Sequence, residues 1–163
     1  MATNQAIETR IDLPAQTREQ VNTMLNQQLA DMFDLYSQTK QAHWNMRGSD
    51  FYQLHKLFDE LAEELLEDID LVAERISALG GVAMGTVHMS AQSSRLPEFP
   101  GRMVLSMSSV EVLAVRYASL AETTRSAINI ASERQDETTA NLLQDVSHQL
   151  DKSLWFLEAH LQK

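Results

Sequence analysis

The sequence predicts an all-α protein, a four-helix bundle of the ferritin-like type. Apolar residues recur at helical spacing in four segments, and one long connection separates the second segment from the third. The composition agrees, with 44% apolar residues, five glycines and three prolines in 163 residues. This length suits one domain that buries a real core. We therefore expect a flexible N-terminal segment over residues 1–14 and a single domain over residues 15–163.

The first two helices are separated by the sequence NMRGS. The first is predicted over residues 15–43, with Pro14 suited to its first turn. Ser49 or Asp50 can cap the second, which ends near Leu79 before a pair of glycines. The second helix carries a continuous apolar stripe, which comprises Leu54, Phe58, Leu61, Leu65, Ile69, Val72 and Ile76.

Residues 80–107 form a connection that is long for a compact bundle, so it either contains a short helix or crosses the length of the bundle. Ser108 and Glu111 form a capping-box pattern that predicts the start of the third helix. The expected apolar positions of that helix are Val112, Val115, Leu120 and Ile128. The polar sequence SERQDET interrupts the pattern near 132–138, and a fourth helix follows from about residue 137.

Two pairs of potential metal ligands lie on the second helix, His55 with Asp59 and Asp70 with Glu74, and His43 precedes them at the end of the first helix. The four on the second helix fall within about 100° of one another around its axis. His55 and Asp70, however, lie roughly 22 Å apart along it. One chain therefore cannot close both pairs around one metal with this helix alone.

Two copies of the second helix, packed antiparallel about a two-fold axis near Leu65, would bring the first pair of one chain opposite the second pair of the other. This arrangement makes two symmetric sites of imidazole and carboxylate. Such ligands suit Fe(II), Mn(II) or Zn(II), and the absence of cysteine excludes thiolate sites. The alternative for each residue alone is a solvated polar face. An intrachain di-iron site is disfavoured, because it needs Glu-x-x-His pairs and the sequence has none.

Several spaced motifs resemble those of the Dps family, the miniferritins named as DNA-binding proteins from starved cells. They are His43-Trp44-Asn45-x-x-Gly48, Phe51-x-x-Leu54-His55-x-x-x-Asp59, Asp70-x-x-x-Glu74-Arg75, Leu79-Gly80-Gly81 and the segment LDKSLWF at 150–156.

The resemblance implies a twelve-subunit hollow shell that oxidises Fe(II), with hydrogen peroxide preferred over oxygen, and stores ferric mineral as protection against oxidative damage. It assigns His43, His55 and Asp59 to one subunit of a shared ferroxidase site, and Asp70 and Glu74 to its mate. Zinc or manganese could compete for these ligands. It also implies an acidic pore for iron near the start of the last helix, where Glu133, Glu137 and Asp145 are the candidates.

The formal net charge of −10 opposes binding to nucleic acid and to membrane phosphates. The first thirteen residues contain only one cation, Arg10, so we expect DNA binding to be weak or absent. A basic patch formed on folding from Arg18, Arg47, Arg95 or Arg102 would be the exception, and a nucleoid-compacting DNA-binding protein is the alternative function. No signal peptide or membrane span is recognisable, which favours a cytoplasmic location, with association with the nucleoid left open.

Overall fold

The structure, a computed structural model, describes residues 7–102 and 105–162, and within them it contains five helices and no strand. The helices are α1 (Ala15–Asn45), α2 (Phe51–Ala78), α3 (Val87–Ser93), α4 (Ser106–Glu133) and α5 (Glu137–Ala159). The four long helices confirm the predicted all-α bundle. The short α3 lies in the long connection, which therefore contains a short helix, the first of the two arrangements expected for it.

The four long helices form a ring of neighbours around one core. α1 packs along α2 and α4 along α5, and the two pairs meet where α1 contacts α4 and α2 contacts α5. All seven predicted apolar positions of α2 are buried, from Leu54 to Ile76. No helix in the described ranges has the length and apolarity that crossing a membrane requires.

The third long helix begins two residues earlier than the predicted capping box. α4 starts at Ser106, and its first turn has no side-chain cap. The reason is a long-range backbone contact, because the Ser106 amide donates to the carbonyl of Arg47 at 3.1 Å and already sets the chain direction there. Val115, one of the apolar positions expected on this helix, does not lie in the core, since 60% of its surface is exposed.

Residues 1–6 of the predicted flexible segment lie outside the described residues, but the part from Ile7 onwards contacts the bundle. The Ile7 amide donates to the carbonyl of Gly80 at 3.3 Å. Gly80 has a φ of +78°, a conformation that an L side chain rarely adopts. Ile11 and Leu13 pack against the core, and Arg18 donates to the Leu79 carbonyl at 3.1 Å. These contacts position the segment before α1 across the end of α2.

A buried ion pair holds the turn between α4 and α5. Asp136 precedes α5, and its Oδ1 accepts hydrogen bonds from the Thr139 amide at 3.0 Å and from Arg75 Nη2 at 2.8 Å. The Asp136 side chain is 1% exposed and that of Arg75 is 12% exposed. Because Arg75 belongs to α2, this pair connects the C-terminal end of α2 to the N-terminus of α5.

Candidate metal centre

His43 and His55 face each other where the end of α1 passes the start of α2. Their ring centroids lie 3.8 Å apart, with 15° between the ring planes. The Nδ1 of His43 lies 2.8 Å from the backbone oxygen of His55. Reciprocally, the Nδ1 of His55 lies 3.0 Å from the backbone oxygen of His43. The two helix ends thus hold both imidazoles as one stacked pair.

These reciprocal hydrogen bonds determine the tautomer of each neutral ring. A carbonyl oxygen can only accept a hydrogen bond, so each Nδ1 must carry the proton and donate it. The lone pair of each imidazole then resides on Nε2, the free ring nitrogen that can bind a metal ion. Both histidines are therefore organised as Nε2 donors by the chain itself.

Asp59 adds an oxygen donor beside this histidine pair. Its Oδ1 lies 3.8 Å from the Nε2 of His43 and 2.6 Å from the Nζ of Lys40. The hydrogen bond from Lys40 lowers the pKa of Asp59 below its ordinary value, and the positive charge of Lys40 lowers it further. Asp59 is therefore a carboxylate near neutral pH, with a cationic partner from α1.

The structure does not bring Asp70 and Glu74 to this cluster. Both are exposed on α2, and Asp70 lines a surface cavity of about 560 Å³ together with Phe33 and Leu66. Among residues 7–102 and 105–162, no group of three or more His, Asp or Glu side chains is arranged to hold a metal ion. His43, His55 and Asp59 are therefore neighbours that do not form a metal site by themselves within the described residues, and Asp70 and Glu74 lie apart from them.

The predicted pore carboxylates do not share one helix. Glu133 is the last residue of α4 and Glu137 the first of α5, so their four-residue spacing spans a turn in which Gln135 has a φ of 61°. All of Glu133, Glu137 and Asp145 are exposed. Asp145 lies close enough to Asp68 for its charge to act on that group. The break between α4 and α5 therefore separates Glu133 from Glu137, and of these three carboxylates only Glu137 and Asp145 share a helix.

Lys40, Phe51 and Asp68 are functional candidates that the sequence reasoning missed. Lys40 pairs with Asp59 on the next helix, and the Phe51 ring stacks on His55 with 5.0 Å between centroids. Burial raises the pKa of Asp68 to about 6, and repulsion from neighbouring carboxylates, the strongest of them Glu64, contributes further. Only the Phe51 contact had a signal in the sequence, since residues four apart lie on one helix face.

Comparison with known proteins gives consistent similarities over nearly the whole chain. The family model described as "Ferritin-like domain" matches residues 22–163. A curated relative, the DNA protection during starvation protein of Agrobacterium fabrum, is 39% identical over 155 residues, which is 95% of this chain and 96% of that protein.

The similar solved structures are of the same kind. DpsC from Streptomyces coelicolor has a TM-score of 0.94 and 33% identity, covering 100% of this chain and 95% of that one. The DPS protein from Vibrio cholerae O1, described as a member of a broad superfamily of ferritin-like diiron-carboxylate proteins, has a TM-score of 0.89 and 27% identity. It is aligned over 99% of this chain and 100% of its own.

Proposed function

The chain belongs to the Dps family of ferritin-like proteins, and from this premise we propose that it is a ferroxidase that stores iron in a closed homo-oligomeric shell of twelve subunits. The observation that carries this proposal is the division of the donors. His43, His55 and Asp59 gather at one end of α2, whereas Asp70 and Glu74 lie exposed towards the other end.

Two copies of α2 running antiparallel would complete each cluster with the carboxylates of the other chain. The midpoint between the two ligand pairs falls near Leu65, but Leu65 itself is 2% exposed and belongs to the chain's own core. Leu66 lies on the ligand stripe at the same level and is 46% exposed. This apolar surface supports a contact between copies at that face of α2, centred on Leu66 rather than on Leu65.

The donor set suits Fe(II) as a substrate. Neutral imidazole nitrogens bind Fe(II), and carboxylates stabilise the Fe(III) that forms. With hydrogen peroxide as the preferred oxidant, two Fe(II) each give one electron, the O–O bond breaks, and two protons complete two waters. The family relation supports iron and gives no support to zinc or manganese, which the ligand types alone leave open. Consuming Fe(II) and peroxide together would limit oxidative damage, and oxygen would be the slower oxidant.

The ferroxidase proposal is tested by loading the assembled protein with Fe(II) without oxygen, adding peroxide, and following oxidation by absorbance. We expect H43A and D70A each to slow oxidation by at least about tenfold, because each removes one ligand of the reacting metal. The matched control is H148A, which removes an exposed histidine of α5. Equal rates for wild type, H43A and D70A would overturn the proposal.

Iron uptake through an acidic pore is a further part of this proposal. Glu133 and Glu137 lie exposed on either side of one turn, and Asp145 lies two turns further along α5. Their charges would attract Fe(II) through a field that salt screens over about 10 Å at 0.1 M. E133Q/E137Q should therefore slow uptake at low salt more than at high salt. Equal uptake by the double variant and wild type at low salt would place the route elsewhere.

DNA binding, the alternative function suggested by the relatives' name, has less support. Two of the four arginines that could form a basic patch are engaged within the chain. Arg18 donates to the carbonyls of Leu13 and Leu79, and Arg95 donates to the buried Asp31. With a net charge of −10, the release of counterions that drives DNA binding is small. We place the protein in the cytoplasm, with at most weak association with the nucleoid.

A further inference from the structure

The aromatic ring of Phe51 forms the third layer of a stack with the two histidines. Its centroid lies 5.0 Å from that of His55, with 27° between the planes, and His43 lies 3.8 Å from His55 with 15° between the planes. Two nearly parallel rings at these distances cannot share one face of an imidazole. His55 is therefore enclosed on both faces, by His43 on one side and by Phe51 on the other.

The contact with His55 explains the position of Phe51, whereas packing in the bundle core does not. Phe51 is the first residue of α2, and 43% of its surface is exposed. The core positions of this turn and the next are Leu54 and Phe58, both fully buried. His55 follows Phe51 by four residues, the spacing at which side chains meet on a helix surface. The ring of Phe51 thus packs on His55 and not in the core.

Without Phe51, the orientation of the His55 ring would rest on one hydrogen bond and one stacked face. The bond from its Nδ1 to the His43 carbonyl fixes one point of the ring, and stacking fixes its plane. His43 is buried, whereas His55 is only partly buried and so needs a second layer against solvent. We propose that Phe51 is a positioning residue that holds the His55 ring so that its Nε2 faces the metal. This inference rests on the ferroxidase function proposed above.

A ring that is free before binding must be immobilised when it binds a metal, and this weakens affinity by about threefold to tenfold. We therefore expect F51L to weaken binding of Co(II), used as the metal probe, by that factor in the assembled shell without oxygen. The apparent KM for Fe(II) should rise by a similar factor, with a smaller change in kcat. F51Y retains the ring and should keep both values near those of the wild type. If Phe51 supplied only apolar bulk at the surface, F51L would keep them as well.

The matched control is Y52L, which removes the neighbouring aromatic ring, 70% exposed, at the same end of α2. Thermal unfolding and shell size are measured for every variant, so that a folding defect is recognised. Support requires weakened Co(II) binding in F51L, values near wild type in F51Y and Y52L, and intact shells for all three. Normal binding in F51L, a loss in F51Y equal to that in F51L, or an equal loss in Y52L would each overturn the positioning role.

H55A separates this inference from the ferroxidase proposal. Slow Fe(II) oxidation in H55A together with wild-type behaviour in F51L would refute the positioning role and leave the ferroxidase proposal intact. Wild-type oxidation in H55A would overturn the ferroxidase assignment of His55 itself, and the role of Phe51 with it. If F51L does not assemble, F51M, which keeps an apolar side chain of similar length without a ring, replaces it in the same comparison.

Discussion

Replacing Asp68 by asparagine should stabilise the protein at neutral pH. Burial, together with repulsion from Glu64, Glu67 and Asp145, raises the pKa of Asp68 from an ordinary 3.8 to about 6. The Oδ2 of Asp68 is buried and has no hydrogen-bond partner within the described residues. Such a difference corresponds to about 3 kcal/mol of cost for the ionised form. Solvent reaches part of this side chain, so screening reduces the expected cost to about 1–2 kcal/mol.

The pH dependence has a definite sign. Between pH 3.8 and about 6 the unfolded chain has released the proton of Asp68 and the folded chain retains it. The stability attributable to this group is therefore present below pH 3.8, falls as the pH rises through this window, and is lost above about 6. D68N should raise the unfolding temperature at pH 7 by about 2–6 °C at fixed protein concentration, and most of this gain should vanish at pH 4.

Thermal unfolding followed by circular dichroism at both pH values measures this effect. The matched control is E63Q, which neutralises an exposed carboxylate on the same helix and should change the unfolding temperature by much less. If D68N and wild type unfolded at the same temperature at pH 7, the ionised Asp68 would carry no cost. An equal gain at both pH values would also refute the reasoning, because the effect would then not depend on ionisation.

Three further outcomes are expected. D136A should destabilise the protein by about 3–5 kcal/mol in urea unfolding, because it leaves the Arg75 guanidinium buried without its partner. The control D151A, which breaks the exposed pair of Asp151 with Arg125, should cost less than about 1 kcal/mol. K40M should tighten Co(II) binding by up to about fivefold in anaerobic titration, since it removes the cation that competes with the metal for Asp59. Unchanged affinity would show that Lys40 does not compete. The protein should not retard plasmid DNA at physiological salt in chelator-containing buffer, and a salt-sensitive shift would reveal a basic patch.

Periodicity predicted the parts of the fold that depend on contacts within one helix. The buried stripe of α2 follows from a 3.6-residue repeat, and the break before Glu137 follows from a run of polar residues. The start of α4 could not be predicted in this way, because it depends on the backbone contact between Arg47 and Leu105, which lie far apart in the sequence.

The same distinction between contacts within one helix and contacts between helices applies to the candidate site. The common stripe of His55 and Asp70 on α2 is a property of one helix, and the sequence pattern was sufficient to predict it. The pairing of Lys40 with Asp59 joins two helices across nineteen residues, so only the packing of α1 on α2 reveals it. The raised pKa of Asp68 likewise depends on its burial and on the nearby charge of Asp145 from α5, which charge patterns in a sequence do not report.

Mixed shells test most directly the central claim, that each ferroxidase site uses donors from two chains. One variant lacks the histidines (H43A/H55A) and the other lacks the carboxylates (D70A/E74A), and the two are unfolded, mixed in equal amounts and reassembled. With random pairing, half of the two-fold contacts join unlike chains, and one of the two sites at each such contact is intact. We expect the mixed shells to show about a quarter of the wild-type rate of peroxide-driven Fe(II) oxidation, with each variant alone nearly inactive. Mixed shells, verified by two affinity tags, that were no more active than either variant alone would contradict it.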